Sequence, residues 1–187
     1  MKAQSDARPA LCWTLVSTSA RLCQSLGYHR ESEVSRSPPE LADAKRHVFW
    51  MLYMIDKIMS LNLGRASSFP DYDIDVEIFT LNMDPRYCAW DKVLVAFIEL
   101  CKLQGQMYDE LYSARARRQS QDIRARIIEE RASSLFAWHA GLKNVGYFHL
   151  GLTVTNLECG RSIRKVHRIA MIWILSSAGP TFSTTTS

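Results

Sequence analysis

The sequence predicts an all-α fold, an irregular bundle of about four main helices followed by a poorly structured C-terminal segment. Three observations predict it. Apolar residues recur at spacings of three and four through four long segments, the period of a helix with one buried face. Proline and glycine stand at the ends of those segments, where helices start and stop. No internal repeat at a period of about 20 to 50 residues and no sustained heptad is present, which excludes a solenoid or a long coiled coil. Residues 1–140 are expected to form one domain and residues 141–187 an irregular or disordered tail.

The first helix is expected over residues 9–26, opened by Pro9 and stopped by Gly27, with Cys12, Leu15, Val16, Leu22, Cys23 and Leu26 on a stripe that Trp13 widens. Residues 28–39 turn polar and end in Pro38-Pro39, which reads as a surface loop. The second helix, residues 40–63, is the strongest. Leu41, Ala44, Val48, Leu52, Ile55 and Met59 make one face, while Phe49, Trp50, Met51, Tyr53 and Ile58 make most of the rest apolar. A helix apolar on all sides must be surrounded by partners, so this one is expected at the centre, stopped by Gly64. Residues 65–77 carry Pro70 and the acidic string Asp71, Asp73, Asp75 and Glu77 without a helical period, and read as an ordered loop.

A third helix is expected over residues 90–118, with Asp84 and Pro85 as punctuation upstream and Val93, Leu94, Phe97, Leu100, Cys101, Gln104, Met107, Tyr108 and Leu111 in register. A fourth, over residues 122–139, places Ile123, Ile127, Ile128, Leu135, Phe136 and Trp138 on a stripe. After His139 the glycines at 141, 146, 151 and 160 interrupt every candidate helix.

Composition sets limits on function. With 187 residues, 47% hydrophobic and 22% charged, the chain can build one real core and is far from a disordered composition. A net charge of +4 is too small and too dispersed to imply nucleic-acid binding. The five cysteines are odd in number and spread through apolar stretches, as expected of reduced, buried thiols. The N-terminus lacks the apolar run of a secretory signal, and the most apolar late stretch, residues 169–175, is far short of the roughly 20 residues that span a bilayer.

No constellation for catalysis or metal binding emerges. His29 and His47 read as surface or capping histidines, without the spaced Cys or carboxylate of a helical metal pair. Ser17, Ser19 and Ser25 lack a nucleophile-elbow context, and Cys101 has no nearby histidine. Asp71, Asp73 and Asp75 imitate alternating calcium ligands, but Val76 stands where the loop needs glycine and Asn82 where it needs glutamate. These carboxylates are expected to pair within the loop. Arg65 is their expected partner, a clamp on Asp71, Asp73 or Asp56 near the end of the second helix. The run Arg115, Arg117, Arg118, Arg124 and Arg126 reads as solvated.

Three linked segments carry a resemblance. The first runs from Ala20-Arg21-Leu22 to Leu26-Gly27-Tyr28-His29-Arg30; the second is Lys45-Arg46-His47-Val48-Phe49-Trp50 through Tyr53 to Asp56-Lys57; the third is Leu63-Gly64-Arg65 followed by Asp73-Ile74-Asp75. In this order and spacing they resemble the fungal-specific regulatory, or middle homology, region of binuclear zinc-cluster transcription factors. The matching residues are Gly27, His29, Arg46, Phe49, Trp50, Tyr53, Asp56, Gly64, Arg65, Asp73 and Asp75, read as structural. Ala66 departs from the proline usual after the glycine-arginine pair.

The resemblance implies a non-enzymatic regulatory and interaction module in the nucleus. Its partners would be other parts of a full-length factor or co-regulators, with a small-molecule effector in some members. It also implies an N-terminal six-cysteine zinc cluster that reads DNA, and no cysteine pair here has the spacing, the nearest being Cys12 and Cys23. The chain itself is therefore expected to hold no cofactor, to contact DNA only through an absent cluster, and to be truncated at both ends. The rival reading is a small helical ligand-binding protein or enzyme whose pocket is lined by Phe49 to Tyr53.

Overall fold

A computed structural model describes residues 9–144, which fall into two compact units parted between Ala116 and Arg117. The first unit contains α1 (Pro9–Ser25), α2 (Glu31–Val34), α3 (Pro39–Leu63) and α4 (Pro85–Met107), and α4 continues into a π-helical turn, Tyr108–Tyr112. The second contains α5 (Gln121–Asn144). The described residues are helical or irregular, as the periodicity predicts.

The helix at the centre of the first unit is α3, which packs against both α1 and α4. Proline at its first position is already fixed at a helical φ, and Gly64 ends it in the left-handed region at φ 62°. Phe49, Trp50, Tyr53 and Met54 are buried in one cluster with Ala20 and Cys23 of α1 and Ile98 and Cys101 of α4. A second cluster joins Cys12 and Val16 of α1 to Met59, with Trp13, Leu52, Ile55 and Leu63 beside them. The rings of Phe49 and Trp50 meet edge-on at 5.1 Å, and Phe49 meets Phe69 at 5.2 Å, the preferred arrangement of aromatic pairs.

Four expectations need correction. The segment 28–39 is not wholly a surface loop: it contains α2, and Val34 is completely buried because its apolar side chain fills the cluster under α3. The third helix starts at Pro85 rather than residue 90, because Asp84 offers its carbonyl to the amides of Tyr87 and Cys88. It leaves α-geometry after Met107, where the amide of Ser113 reaches back five residues to the carbonyl of Tyr108. In the second unit α5 passes through Gly141 to Asn144, so that one glycine does not stop it.

The fourth correction concerns α3 itself. Leu41 and Val48 are 51% and 54% exposed, and Ala44 and Met51 are exposed beside them, so part of the face expected to be buried meets solvent in the described residues. Leu11, Leu15, Leu22 and Leu26 of the first helical segment are exposed likewise. In α5, Leu135 is buried while Ile123 and Phe136 are exposed. The expected tail lies outside the described residues apart from its first four positions.

Candidate functional site

The arm between α3 and α4, residues 64–84, crosses the aromatic face of α3, and nearly every residue carrying the family resemblance helps to hold it there. Trp50 donates its indole N–H to the carbonyl of Glu77 at 2.8 Å. Tyr53 donates its hydroxyl to Asp71 Oδ1 at 2.7 Å, and burial, with the Asp71 charge added, drives its phenol well above the usual range. Both rings are almost wholly buried, so Phe49, Trp50 and Tyr53 are core rather than an open aromatic cage. Trp50 and Tyr53 form the base of an open cleft of about 410 Å³, walled by Ile74 to Ile78 of the arm and by Lys102 and Gln106 of α4. The Lys102 ammonium lies 5.0 Å above the Trp50 ring.

The chain reverses at Gly27, whose φ of 72° suits glycine; a Cβ there would also come within 2.9 Å of Glu33 Cγ. That reversal carries His29, Arg30 and Glu31 against the arm. Arg30 bonds Asp73 Oδ1, His29 Nε2 lies 3.7 Å from Asp73 Oδ2, and the carbonyl of His29 accepts the amides of Asp75 and Val76. Glu31 is the centre of the fastening. Its amide donates to Asp75 Oδ1 at 2.9 Å, and its carboxylate accepts Arg46 Nε and Nη2 in a fork while also accepting the Glu77 amide at 2.9 Å. The Arg46 hydrogen bond holds the Glu31 carboxyl below the ordinary carboxylate range, and Arg46 is raised in turn. Further along, Asp43 Oδ1 accepts the Thr80 amide at 2.6 Å, and the His47 ring stacks on Phe79 at 3.8 Å.

At the other end of the arm, Asp56 is fully buried and its Oδ2 accepts both the Ser67 hydroxyl and the Ser68 amide. Lys57, only 3% exposed, reaches Asp71 Oδ1 at 3.0 Å and the Phe69 carbonyl at 2.8 Å. Gly105 of α4 leaves room for this pair, since a Cβ there would stand 3.0 Å from both Lys57 Nζ and Asp71 Oδ2. Burial, only partly offset by Lys57, raises the carboxyl of nearby Asp109.

Arg65 does not act as the expected clamp. Its guanidinium lies 4.4 Å over the Trp13 ring, and no ion pair joins it to Asp71, Asp73 or Asp56 among the described residues. The reason is position. Lys57 points inward at Asp71, whereas Arg65, just past the end of α3, is exposed and finds an aromatic face on α1. Sequence reasoning thus missed Glu31, Asp43, Lys57 and Ser67. A weak signal for one was present: adjacent Asp56 and Lys57 are charges within an otherwise apolar helix, the pattern of buried, partnered groups.

Chemically the arrangement fastens. Carboxylates of Glu31, Asp43 and Asp56 accept main-chain amides of the arm, which an irregular segment cannot satisfy through its own secondary structure, and Asp75 of the arm accepts the Glu31 amide in return. Among the described residues no group of three His, Cys, Asp or Glu side chains is placed to hold a metal ion. Cys12, Cys23 and Cys101 are buried among apolar side chains, and burial pushes the Cys23 thiol up to about 11 and the Cys101 thiol up to about 12, against the thiolate that zinc requires. No helix of the described residues is long and apolar enough to cross a membrane.

The family model for the fungal specific transcription factor domain matches residues 3–140. An uncharacterised transcriptional regulatory protein of Schizosaccharomyces pombe is 31% identical over 140 residues, covering 71% of this chain and 21% of that protein. An ABC-transporter-regulating transcription factor of Aspergillus oryzae is 32% identical over 146 residues, covering 72% of this chain and 16% of its own length. Protein STB5 of Saccharomyces cerevisiae is 32% identical over 115 residues, 59% of this chain and 15% of that protein. The chain thus spans about a fifth or less of these relatives, and no solved structure matches it. With the ordered motifs, the all-α fold and the family match over most of its length in agreement, the chain belongs to the fungal specific transcription factor domain family.

Proposed function

We propose that this chain is a regulatory relay within a transcription factor, working by fastening and releasing the arm that crosses α3. The observation that carries this reading is the mode of attachment. The arm is held by side-chain bonds to its backbone from Glu31, Asp43, Asp56 and Trp50 as well as by Phe69, Val76 and Phe79 in the core cluster, so loss of the polar contacts loosens the backbone around residues 75–80 while Phe69 stays packed on Phe49. A partner or effector would act by binding one arm position more tightly than the other. The cleft over Trp50 and Tyr53 is a suitable place for an effector, because residues 74–78 of the arm form its wall.

On this reading the module is nuclear and not itself catalytic, its partners are co-regulators or other parts of a longer factor, and zinc and DNA belong to a separate cluster. The match to the fungal specific transcription factor domain over residues 3–140 counts against the rival reading of a separate small ligand-binding protein or enzyme. The test uses a complete factor carrying this segment. Arg46→Met should change reporter output at least threefold while leaving the DNA affinity of the factor unchanged. Unchanged output, with normal protein level, would refute the relay.

A further inference from the structure

Of the six prolines in the sequence, Pro38 is the one preceded by a serine or threonine, Ser37. Ser37 lies between α2 and α3. Ser37 itself is half-buried, but Ser35, Arg36, Pro38, Pro39 and Glu40 around it are all exposed, so this stretch can be engaged from solvent without opening the core. The Ser37 hydroxyl already accepts a hydrogen bond from Lys45 Nζ at 2.7 Å. Lys45 is further located by the Tyr28 ring, 5.4 Å beneath its ammonium, and no carboxylate pairs with it among the described residues. Of the neighbouring charges, Arg36 pairs with Glu33 at 2.7 Å, Asp43 is engaged by Thr80 and His47, and Glu40 is an exposed carboxylate.

We propose that Ser37 is a phosphorylation site for a proline-directed serine/threonine protein kinase, with Lys45 as the built-in partner of the phosphate. Ser37 Oγ bonds to the γ-phosphorus of ATP, the bond to the β-phosphate oxygen breaks, ADP leaves, and the hydroxyl proton passes to the kinase base. A neutral acceptor of one lysine bond becomes a group of charge about −1.5 to −2 with three acceptor oxygens, converting that bond into an ion pair. Lys45 adjoins Arg46, which grips Glu31 and through it the arm. Phosphorylation therefore tightens the joint between α2 and α3 on which the fastening depends. The site stands on the Ser37–Lys45 geometry and does not depend on the transcriptional reading.

The experiment treats the full 187-residue chain with a purified proline-directed kinase and magnesium ATP, followed by phosphosite mapping and thermal melting. Phosphate is expected on Ser37 and is absent from that position in Ser37→Ala; the phosphorylated chain should melt about 2 to 4 °C higher. Lys45→Met should accept phosphate equally and lose the increase, while Lys45→Arg should keep it. Failure of the folded chain to accept phosphate at Ser37, a lowered melting point, or an undiminished increase in Lys45→Met would each overturn the proposal.

Discussion

The two sides of α3 are almost equally apolar in sequence yet have opposite fates. Phe49, Trp50 and Tyr53 are buried under the arm, whereas Leu41, Val48 and Met51 remain exposed in the described residues. Hydrophobicity alone does not separate them. What does is the arm, whose Phe69, Val76 and Phe79 pack on the buried side and whose backbone is satisfied there by the Trp50 indole, by Asp56 and by Glu31 held on Arg46. An irregular segment can cover an apolar surface only where its amides and carbonyls find partners, and the other side of α3 supplies none to the arm.

The contrast can be broken most strongly at adjacent positions. Phe49→Ala should destabilise the chain by about 3 to 5 kcal/mol, because it opens a cavity in the centre of the cluster. Val48→Ala, one residue away, should cost no more than about 0.5 kcal/mol. Denaturant unfolding of both variants measures the difference; equal effects would mean that the two sides are equally buried.

Next in size is the Lys57–Asp71 pair. Asp71→Ala should cost about 2 to 3 kcal/mol, below the usual range for breaking a buried pair because Asp71 is partly exposed, yet substantial because it strands the Lys57 charge and the Tyr53 hydroxyl. Lys57→Met removes the buried charge and leaves a carboxylate that water can reach, so its cost should be smaller, about 1 kcal/mol or less. The same unfolding measurement ranks them, and the reverse order would contradict this account.

A pH titration sharpens the contrast at Glu31. Its folded pKa lies below the unfolded value of about 4.3, so its contribution is fully present above that pH and fades as pH falls through the depressed folded value. Wild type should therefore lose stability below about pH 4 more steeply than Glu31→Gln, and parallel curves would remove the linkage. The smallest effect belongs to Arg65. As an exposed cation over Trp13, its replacement by alanine should cost under about 1 kcal/mol, with Arg65→Lys retaining part of the interaction.

The legible part of this molecule was its local structure. Pro9, Gly27, Pro39 and Gly64 punctuate helices by restricting or freeing the backbone, and the periods of α1, α3, α4 and α5 follow from their apolar spacing. Of the residues in the family pattern, His29, Arg46, Trp50, Tyr53, Asp56, Asp73 and Asp75 lie at contacts with the arm or within it. Partnership was not legible. Glu31 meets Arg46 across 15 residues and the Glu77 amide across 46, and no periodicity encodes contacts made by an irregular segment folding back. Arg65 was misassigned for the same reason, since proximity to the acidic string in sequence does not reveal that Lys57 already occupies Asp71.

The central claim, that a small set of polar side chains fastens the backbone of residues 75–77 beyond what the buried side chains of the arm do, is tested most directly by site-resolved amide hydrogen exchange in Arg46→Met. Removing the guanidinium frees the Glu31 carboxylate that Glu77 donates to. Exchange at Asp75, Val76 and Glu77 should rise at least tenfold, while the amides of Tyr53, Met54 and Cys101 in the core helices keep their wild-type rates. A uniform rise across arm and core, or no rise in the arm, would contradict the account.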